Sequence, residues 1–381
     1  MGNKHLRARS ILVDTEDKVI SRLKFLDSEP NAWSFSAENV VINNRGGCGN
    51  NWAVGYTECG PESCVNILEK IRKETEKCDN IMYFLTLGST GGGTGSGFSS
   101  YIIEAIRSEY SHKVLMASFV LPYSDGDVNT QNLNTIFTLS KCYSVCDAIV
   151  LFNNSSIHKQ LNSCKKFGYF DMNRFISEQL SCFLQPFSNF SSISGVYDIL
   201  MPLISHPQYK LLALMANSSE CHTKFNAISK WETLIRNLNF KLRKLDLPNV
   251  SRIRDTRLSN QYLEKCIANL LVCRGADSIL TESVAKKHFG SSDYYPLWTP
   301  KSERFSHLYH NRKFCDYNEY ALLVSNNRLI CKDLNNILER GWCSYVHNAY
   351  IHHYKKYSFE QEDMINAFSK VENILKCYSS L

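Results

Sequence analysis

Nine residues in the first third of the chain, Ser89-Thr90-Gly91-Gly92-Gly93-Thr94-Gly95-Ser96-Gly97, carry its most informative pattern. Residues 81–87 before them form a continuous apolar run, as in a buried parallel strand, and residues 98–110 after them have helical spacing. Glycines allow backbone N–H groups to approach an anion closely, and the start of a helix favours negative charge. The segment therefore predicts a phosphate-binding loop, with a flexible glycine-rich turn as the alternative.

Two common nucleotide loops do not match this segment. A Walker A loop requires a Gly-Lys-Ser/Thr sequence, and the segment contains no lysine. A dinucleotide fingerprint requires a third glycine, and Phe98 stands at that position after Gly93 and Gly95. A dinucleotide-dependent oxidoreductase is thereby disfavoured, although the strand and helix pattern would suit one.

Outward from the loop, short apolar runs alternate with amphipathic stretches. This order of strands and helices predicts an α/β fold with a doubly wound parallel sheet. Strands are predicted at residues 11–14, 81–87, 114–121 and 148–152, and helices at 64–77, 98–110 and 135–146. In the helix at 64–77, Val65 and Leu68 are expected on the buried face.

The second half of the chain is less regular. Strands are predicted at residues 211–215, 267–273 and 320–325, and helices at 171–184 and from 333 onward. Ser358 and Gln361 fit a helix capping box. The apolar stripe that follows is expected to pack in a core and comprises Met364, Ile365, Phe368, Val371 and Leu375.

Composition excludes several classes of protein. The chain has 381 residues, a formal charge of +6, 44% hydrophobic and 21% charged residues, which excludes a disordered chain and gives little support for nucleic-acid binding. No apolar run approaches the roughly 20 residues of a membrane span. Fifteen cysteines without any Cys-x-x-Cys pair favour free thiols in a reducing compartment. We therefore expect no nucleic-acid and no membrane partner.

Three segments resemble the tubulin family. The loop from Ser89 to Gly97 is similar to the signature loop of the tubulin and FtsZ proteins. Gly47-Cys48-Gly49-Asn50-Asn51-Trp52-Ala53-Val54-Gly55-Tyr56 resembles the tubulin GxGNNWAxG segment. Arg9-Ser10-Ile11-Leu12-Val13-Asp14-Thr15-Glu16 resembles RAxLVDxEP, with Asp17 in place of the proline. Residues 126–128, 267–275 and 348–354 are most similar to those of the delta type of tubulin.

The resemblance implies an architecture. A nucleotide-binding domain is expected at residues 1–155, with a doubly wound parallel sheet. A core helix and a smaller mixed-sheet α/β domain would occupy residues 156–326, and a C-terminal helical region residues 327–381. Two departures from the family are expected. The opening strand and GQCGNQ loop of tubulins, which precede the segment that Leu12 begins, are missing, so either the gene model is truncated or nucleotide binding is weak. The acidic tail is also missing, so modification and motor binding through such a tail are not expected.

The resemblance also implies a site for GTP or GDP with Mg²⁺. Gly49, Asn50 and Asn51 would lie beside the γ-phosphate. Asp127 would lie near the ribose, Asn154 and Asn173 would read the guanine edge, and Tyr169 would stack on the base. Asp14 and Glu16 would lie near Mg²⁺, through water. The residues expected around the phosphates are Ser89, Gly91, Gly92, Gly93, Thr94, Gly95, Ser96 and Gly97.

Two functions remain open from the sequence. One is a GTP-binding cytoskeletal protein of the delta-tubulin type, in the cytoplasm at centrioles, basal bodies and cilia, with other tubulin subunits or centriolar and microtubule proteins as partners. Any GTP hydrolysis would require a neighbouring subunit, whose Asp198 would orient the attacking water. The family motif that contains this acid has a second acidic position, and Gly195 stands there in this chain. The alternative is a degenerate tubulin that has lost nucleotide binding and serves as an interaction module.

Overall fold

The chain folds into two units, and both include residues from its C-terminal part. Residues 1–146 and 336–372 form the first unit, and residues 147–335 and 373–381 form the second. The computed structural model describes residues 6–26, 33–43, 45–126, 128–161, 168–185, 196–219, 227–243 and 265–381. The domain boundaries expected near residues 155 and 326 stay predictions.

Parallel strand pairs form the framework of the first unit. β1 (Leu6–Ala8) pairs with β3 (Trp33–Phe35), and β2 (Leu12–Asp14) pairs with β4 (Val40–Ile42). β5 (Tyr83–Ser89) pairs with β6 (Val114–Leu121) over seven residues, from Tyr83 opposite Val114 to Ser89 opposite Val120. The helices among these strands are α1 (Asp17–Leu26), α2 (Trp52–Val54), α3 (Gly60–Glu76), α4 (Ser99–Glu109) and α5 (Gln131–Val145).

The second unit contains a mixed sheet with helices between its strands. The elements are β7 (Ala148–Asn153), α6 (Asn154–Leu161), α7 (Tyr169–Leu184), α8 (Val196–Leu203), β8 (Leu211–Ser219), α9 (Ala227–Arg243), β9 (Cys266–Gly275), α10 (Thr281–Phe289), α11 (Lys301–Arg304), β10 (Phe305–His310) and β11 (Glu319–Asn327). The strand order is β7-β8-β11-β9-β10. β7 is parallel to β8, β11 is antiparallel to both β8 and β9, and β10 is parallel to β9.

Each unit has an apolar core. In the second, Trp231 and Leu238 of α9 pack with Leu271 of β9, Phe289 of α10 and Leu323 of β11. Three helices close the chain, namely α12 (Cys331–Val346), α13 (Ile351–Lys355) and α14 (Gln361–Ser379). In the first unit, Phe368 of α14 stacks on Trp342 of α12, with 4.2 Å between ring centroids. The predicted α/β fold with parallel strands is confirmed.

Two predicted helix faces need correction. Val65 is 80% exposed, and the buried positions of α3 are Gly60, Ser63, Ile67 and Ile71. Ser63, Ile67 and Ile71 share a face because they lie four residues apart, and the elements that pack against α3 decide which face is buried. In α14 the predicted stripe is buried except for Ile365, which is 44% exposed.

The predicted capping box at Ser358 and Gln361 is wrong by two residues. α14 begins at Gln361, and the backbone N–H of Glu360 donates to Asp363 Oδ2 at 3.1 Å. Ser358 instead has a left-handed φ of 56° and donates its backbone N–H to Lys355 O. In the part of the chain that the structure describes, no helix combines the length and apolarity that crossing a membrane requires.

Candidate functional site

The glycine-rich loop leaves β5 and is anchored to neighbouring elements before it turns. The backbone N–H of Thr90 donates to Val120 O at 3.1 Å, which extends the pairing with β6 by one residue. Thr135 of α5 donates its hydroxyl to Thr90 Oγ1 at 2.9 Å, and neither side chain is exposed. The loop therefore starts from a fixed position at the carboxyl end of a parallel strand.

Unpaired amides cluster at the start of the helix that follows. The N–H groups of Gly91, Gly92 and Gly93 donate no hydrogen bond to any residue that the structure describes. After them the chain enters a wide turn from Thr94 to Phe98, closed by a bond from Phe98 N to Gly93 O, and continues as α4. Amides at a helix N-terminus attract anions, since the helix dipole places partial positive charge there.

The glycines of the loop have two different roles. A Cβ on Gly97 would collide with the carbonyl oxygen of Trp52, and one on Gly95 would lie 2.7 Å from the backbone of Ser89. A Cβ on Gly93 would lie 2.8 Å from Asn51 O. A Cβ on Gly92, in contrast, would have one neighbour within 4 Å among the described residues, Asn50 Oδ1 at 3.6 Å. Gly93, Gly95 and Gly97 are thus required for packing within the protein, and Gly92 is free to face a ligand.

A second loop, residues 47–52, lies beside the first. Gly49 and Asn50 are exposed and have left-handed φ values of 56° and 52°. Their N–H groups also donate no hydrogen bond within the described residues. Gly49 and Asn50 are exposed, Gly91 and Gly92 are partly exposed and Gly93 is buried, so four of these five amides belong to residues that solvent reaches, which suits the oxygens of a polyphosphate.

Asn134, in the first turn of α5, joins the two loops. Its Nδ2 donates to Asn50 O at 2.8 Å and to Gly91 O at 2.9 Å. Its Oδ1 accepts from Trp52 N at 3.0 Å and from the hydroxyl of Tyr354 at 2.8 Å. The side chain is completely buried and all of its hydrogen-bonding capacity is used.

Several predicted phosphate contacts have side chains that bond within the protein. Asn51 is 7% exposed; its Oδ1 accepts from Ala53 N and its Nδ2 donates to His353 O, both at 2.9 Å. The buried Ser96 hydroxyl donates to Gly92 O. Ser89 is exposed and Thr94 is half-buried. The direct roles predicted for these residues stay predictions, and Asn51 and Ser96 fix the shape of the loops.

The acidic pair lies at the end of β2, in the same unit as the loops. Asp14 Oδ1 accepts from the backbone N–H groups of Thr15 at 2.7 Å and Glu16 at 3.1 Å. Glu16 is exposed, and its Oε1 lies 3.3 Å from the position of a Cβ on Gly47. Thr15 connects this segment to the glycine loop, since its hydroxyl lies 2.6 Å from Thr94 Oγ1.

Cys48 lies under the glycine loop and contacts a second thiol. Its sulfur is 3.4 Å from the sulfur of Cys59, and the hydroxyl of Thr94 donates to it at 3.6 Å. The hydrogen bond with Cys59, together with those of Thr94 and Thr15, lowers the pKa of Cys48 to about 7 against the opposing effect of burial. The same contact with Cys48 raises the pKa of Cys59.

The residues predicted for the base and for catalysis lie in the second unit. Asn154 begins α6 and is half-buried, whereas Tyr169 and Asn173 lie exposed in the first turns of α7. Asp198 is exposed in the first turn of α8. Asp127 and Gly195 lie outside the described residues. The roles assigned to these residues stay predictions.

Within the first unit, the structure brings together the glycine-rich loop, the second loop and Asp14. Sequence reasoning missed Asn134 and Cys48. The available signal for Asn134 was an asparagine among the apolar residues of α5. The available signal for Cys48 was its position between Gly47 and Gly49.

Comparisons with known proteins agree with this geometry. Residues 1–162 match the family model described as the Tubulin/FtsZ family, GTPase domain. The chain is 31% identical to the tubulin delta chain of Homo sapiens, over 98% of this chain and 87% of that protein. It is 30% identical to the tubulin delta chain of Mus musculus, over 98% of this chain and 86% of that protein. It is 26% identical to the tubulin gamma chain of Candida albicans, over 97% of this chain and 72% of that protein. This chain belongs to the tubulin family.

Proposed function

We propose that this chain is a GTP-binding cytoskeletal protein of the delta-tubulin type. The observation that carries the proposal is the group of amides at Gly91, Gly92 and Gly93, which donate to no residue in the described ranges and lie between a parallel strand and the N-terminus of α4. Similarity to tubulin delta chains over 98% of the chain supports the cytoskeletal role. We further propose that it acts in microtubule-based processes at centrioles and ciliary basal bodies, with other tubulin subunits or microtubule proteins as partners.

The nucleotide would be GTP or GDP. Its phosphates would accept hydrogen bonds from the five amides of the two loops, and from the hydroxyls of Ser89 and Thr94. Asp127, Asn154, Tyr169 and Asn173 are proposed for the ribose and the base, by resemblance to the family. Hydrolysis is proposed only within an assembly, where Asp198 of a neighbouring copy would position the attacking water.

The residues near Asp14 fit a Mg²⁺ ion that keeps most of its water. No group of three or more His, Cys, Asp or Glu side chains in the described parts of the chain is arranged to hold a metal ion. Mg²⁺ in nucleotide sites usually binds one or two carboxylates, substrate phosphates and waters, so this does not conflict with the proposal. Asp14 and Glu16 would hold the ion through water, and the ion would neutralise phosphate charge.

Equilibrium binding of GTP, ATP and NAD to the full chain tests the proposal, with Gly92→Ala as the informative variant. The added methyl has room in the fold but occupies the accessible side of the loop. The methyl group would keep a phosphate oxygen away from the Gly92 N–H, so one hydrogen bond to a charged group would be lost. Such a bond is worth about 2 kcal/mol, which corresponds to roughly thirtyfold weaker binding. We expect wild-type protein to prefer GTP, and Gly92→Ala to weaken GTP binding by that factor.

Val65→Ala serves as the matched control, because this side chain is 80% exposed on α3. It is expected to bind GTP as the wild type does, and circular dichroism should show all three proteins equally folded. Negligible binding of GTP, ATP and NAD alike by folded wild-type protein would contradict the proposal and favour the interaction-module alternative.

A further inference from the structure

Two buried thiols lie in contact beneath the glycine-rich loop. Cys48 is 5% exposed, Cys59 is fully buried, and their sulfurs are 3.4 Å apart. Cys48 follows Gly47 in the second loop, and Cys59 precedes α3. A disulfide requires the sulfurs to approach to about 2.05 Å, so a movement of roughly 1.4 Å would suffice if the dihedral geometry is met.

The contacts of Cys48 connect it to the glycine loop. Thr94 donates its hydroxyl to the Cys48 sulfur, and a Cβ on Gly93 would collide with Cys48 Cβ. Thr15, whose hydroxyl pairs with that of Thr94, lies 4.0 Å from the same sulfur. Because the loop packs this closely on Cys48, a displacement of the cysteine toward Cys59 removes a hydrogen bond from Thr94 and disturbs Gly93.

The pair also has the chemical character of an attacking and a resolving thiol. The contact with Cys59 lowers the pKa of Cys48, so that a substantial fraction is thiolate near neutral pH, and thiolate is the form that peroxides oxidise. Cys48 is itself 5% exposed and is followed immediately by the exposed Gly49 and Asn50, so the attacking thiol lies close to the surface.

We propose that Cys48 and Cys59 form a redox modification site that hydroperoxides convert to a disulfide. The Cys48 thiolate attacks the peroxide; its S–O bond forms, the O–O bond breaks, and hydroxide leaves. Cys59 then attacks the resulting sulfenic sulfur; the S–S bond forms, the S–O bond breaks, and water leaves. In total, two thiols and one hydrogen peroxide yield one disulfide and two waters, with two electrons passing from the sulfurs to the peroxide.

An effect of the disulfide on GTP binding rests on the proposed function. If GTP phosphates bind over Thr94 and Gly93, the reduced form is the one that binds well, and the disulfide weakens GTP binding. Coupling of this kind typically changes affinity by about tenfold or more.

Peptide mapping of the full chain after treatment with hydrogen peroxide and alkylation tests the site. We expect a linked peptide containing Cys48 and Cys59, reversed by a dithiol reductant. Cys59→Ser should leave a Cys48 sulfenic acid that dimedone traps, and Cys48→Ser should protect Cys59. Cys142 is the internal control, because it is equally buried and burial raises its pKa to about 12; it should remain reduced.

Absence of the linked peptide in wild-type protein whose Cys48 is oxidised would overturn the proposal. Oxidation of Cys59 at an unchanged rate in Cys48→Ser would also overturn it. GTP binding by the reduced protein tests the proposed function separately from the disulfide. Equal GTP affinity of the reduced and oxidised proteins would overturn the coupling alone.

Discussion

At the scale of the residue, Asn134 joins the two loops of the candidate site through hydrogen bonds to both. Asn134→Ala removes two donors and two acceptor contacts and leaves Asn50 O, Gly91 O and Trp52 N without this partner. Unsatisfied buried polar groups are costly, so we expect the free energy of unfolding to fall by about 3 kcal/mol. Urea unfolding followed by circular dichroism measures this change.

Asn132→Ala is the control for the Asn134 variant, since it makes the same substitution in the same turn of α5 at a half-buried position. It should change the free energy of unfolding by less than about 1 kcal/mol. If both variants lose equal stability, the loss reflects the start of α5 in general, and the specific role of Asn134 is wrong.

The role of Asn134 could not be read from the sequence. Its partners Asn50, Gly91 and Tyr354 are 84, 43 and 220 residues away along the chain. Periodicity also predicted the helix only from Thr135, because the polar residues before it lack an apolar pattern. The glycines of the loop, in contrast, were predictable, because their spacing between a strand and a helix is a local feature.

At the scale of elements, the turn before α4 interlocks with α2 and the glycine that follows it, without room for side chains. Gly97 faces the carbonyl oxygen of Trp52, and Gly55 faces the carbonyl oxygen of Gly93. Backbone atoms cannot move aside as a side chain can, so overpacking here is costly. We expect Gly97→Ala to lower the free energy of unfolding by about 3 kcal/mol, measured by urea unfolding.

Gly92→Ala provides the matched comparison, because it adds the same methyl group to the same loop at a position with space. We expect it to change stability by less than about 0.5 kcal/mol. Equal losses in the two variants would show that any side chain in the loop is disruptive, and would contradict the distinction between packing glycines and ligand-facing glycines.

Elements were predicted well where the pattern is local. The strand at residues 114–121 was predicted with the bounds of β6, and the strand at 148–152 is one residue shorter than β7. The buried face of α3 was predicted wrongly, because Val65 and Leu68 are spaced as a helical face but Ile67 and Ile71 are the ones that pack inward. Which of two apolar faces is buried depends on the neighbouring elements, and the sequence of one helix does not specify them.

At the scale of the whole molecule, each unit is assembled from segments distant in sequence. Residues 336–372 belong with the first 146 residues, and the last nine residues belong with the second unit. Within the first unit, Tyr354 reaches Asn134 and His353 accepts from Asn51, so the loops of the candidate site depend on the C-terminal region. Composition and periodicity describe single segments, so they could not predict these contacts, which join residues 302 and 220 positions apart.

Stability of the whole chain should also depend on pH through His307 of β10. Burial lowers the pKa of this histidine to about 4, opposed by Glu282 and assisted by Lys286, and its Nε2 lies 2.8 Å from Thr281 Oγ1. The unfolded chain therefore binds the extra proton from about pH 6.5 downward and the folded chain only near pH 4, so stability decreases as pH falls through that window, by about 3 kcal/mol at most.

Urea unfolding measured at pH 8, 6 and 4.5 tests this prediction, and His307→Gln should reduce the loss of stability at low pH. His112→Gln, which removes an exposed histidine, is the control. If the His307→Gln profile matches that of wild type at all three pH values, other groups account for the acid sensitivity.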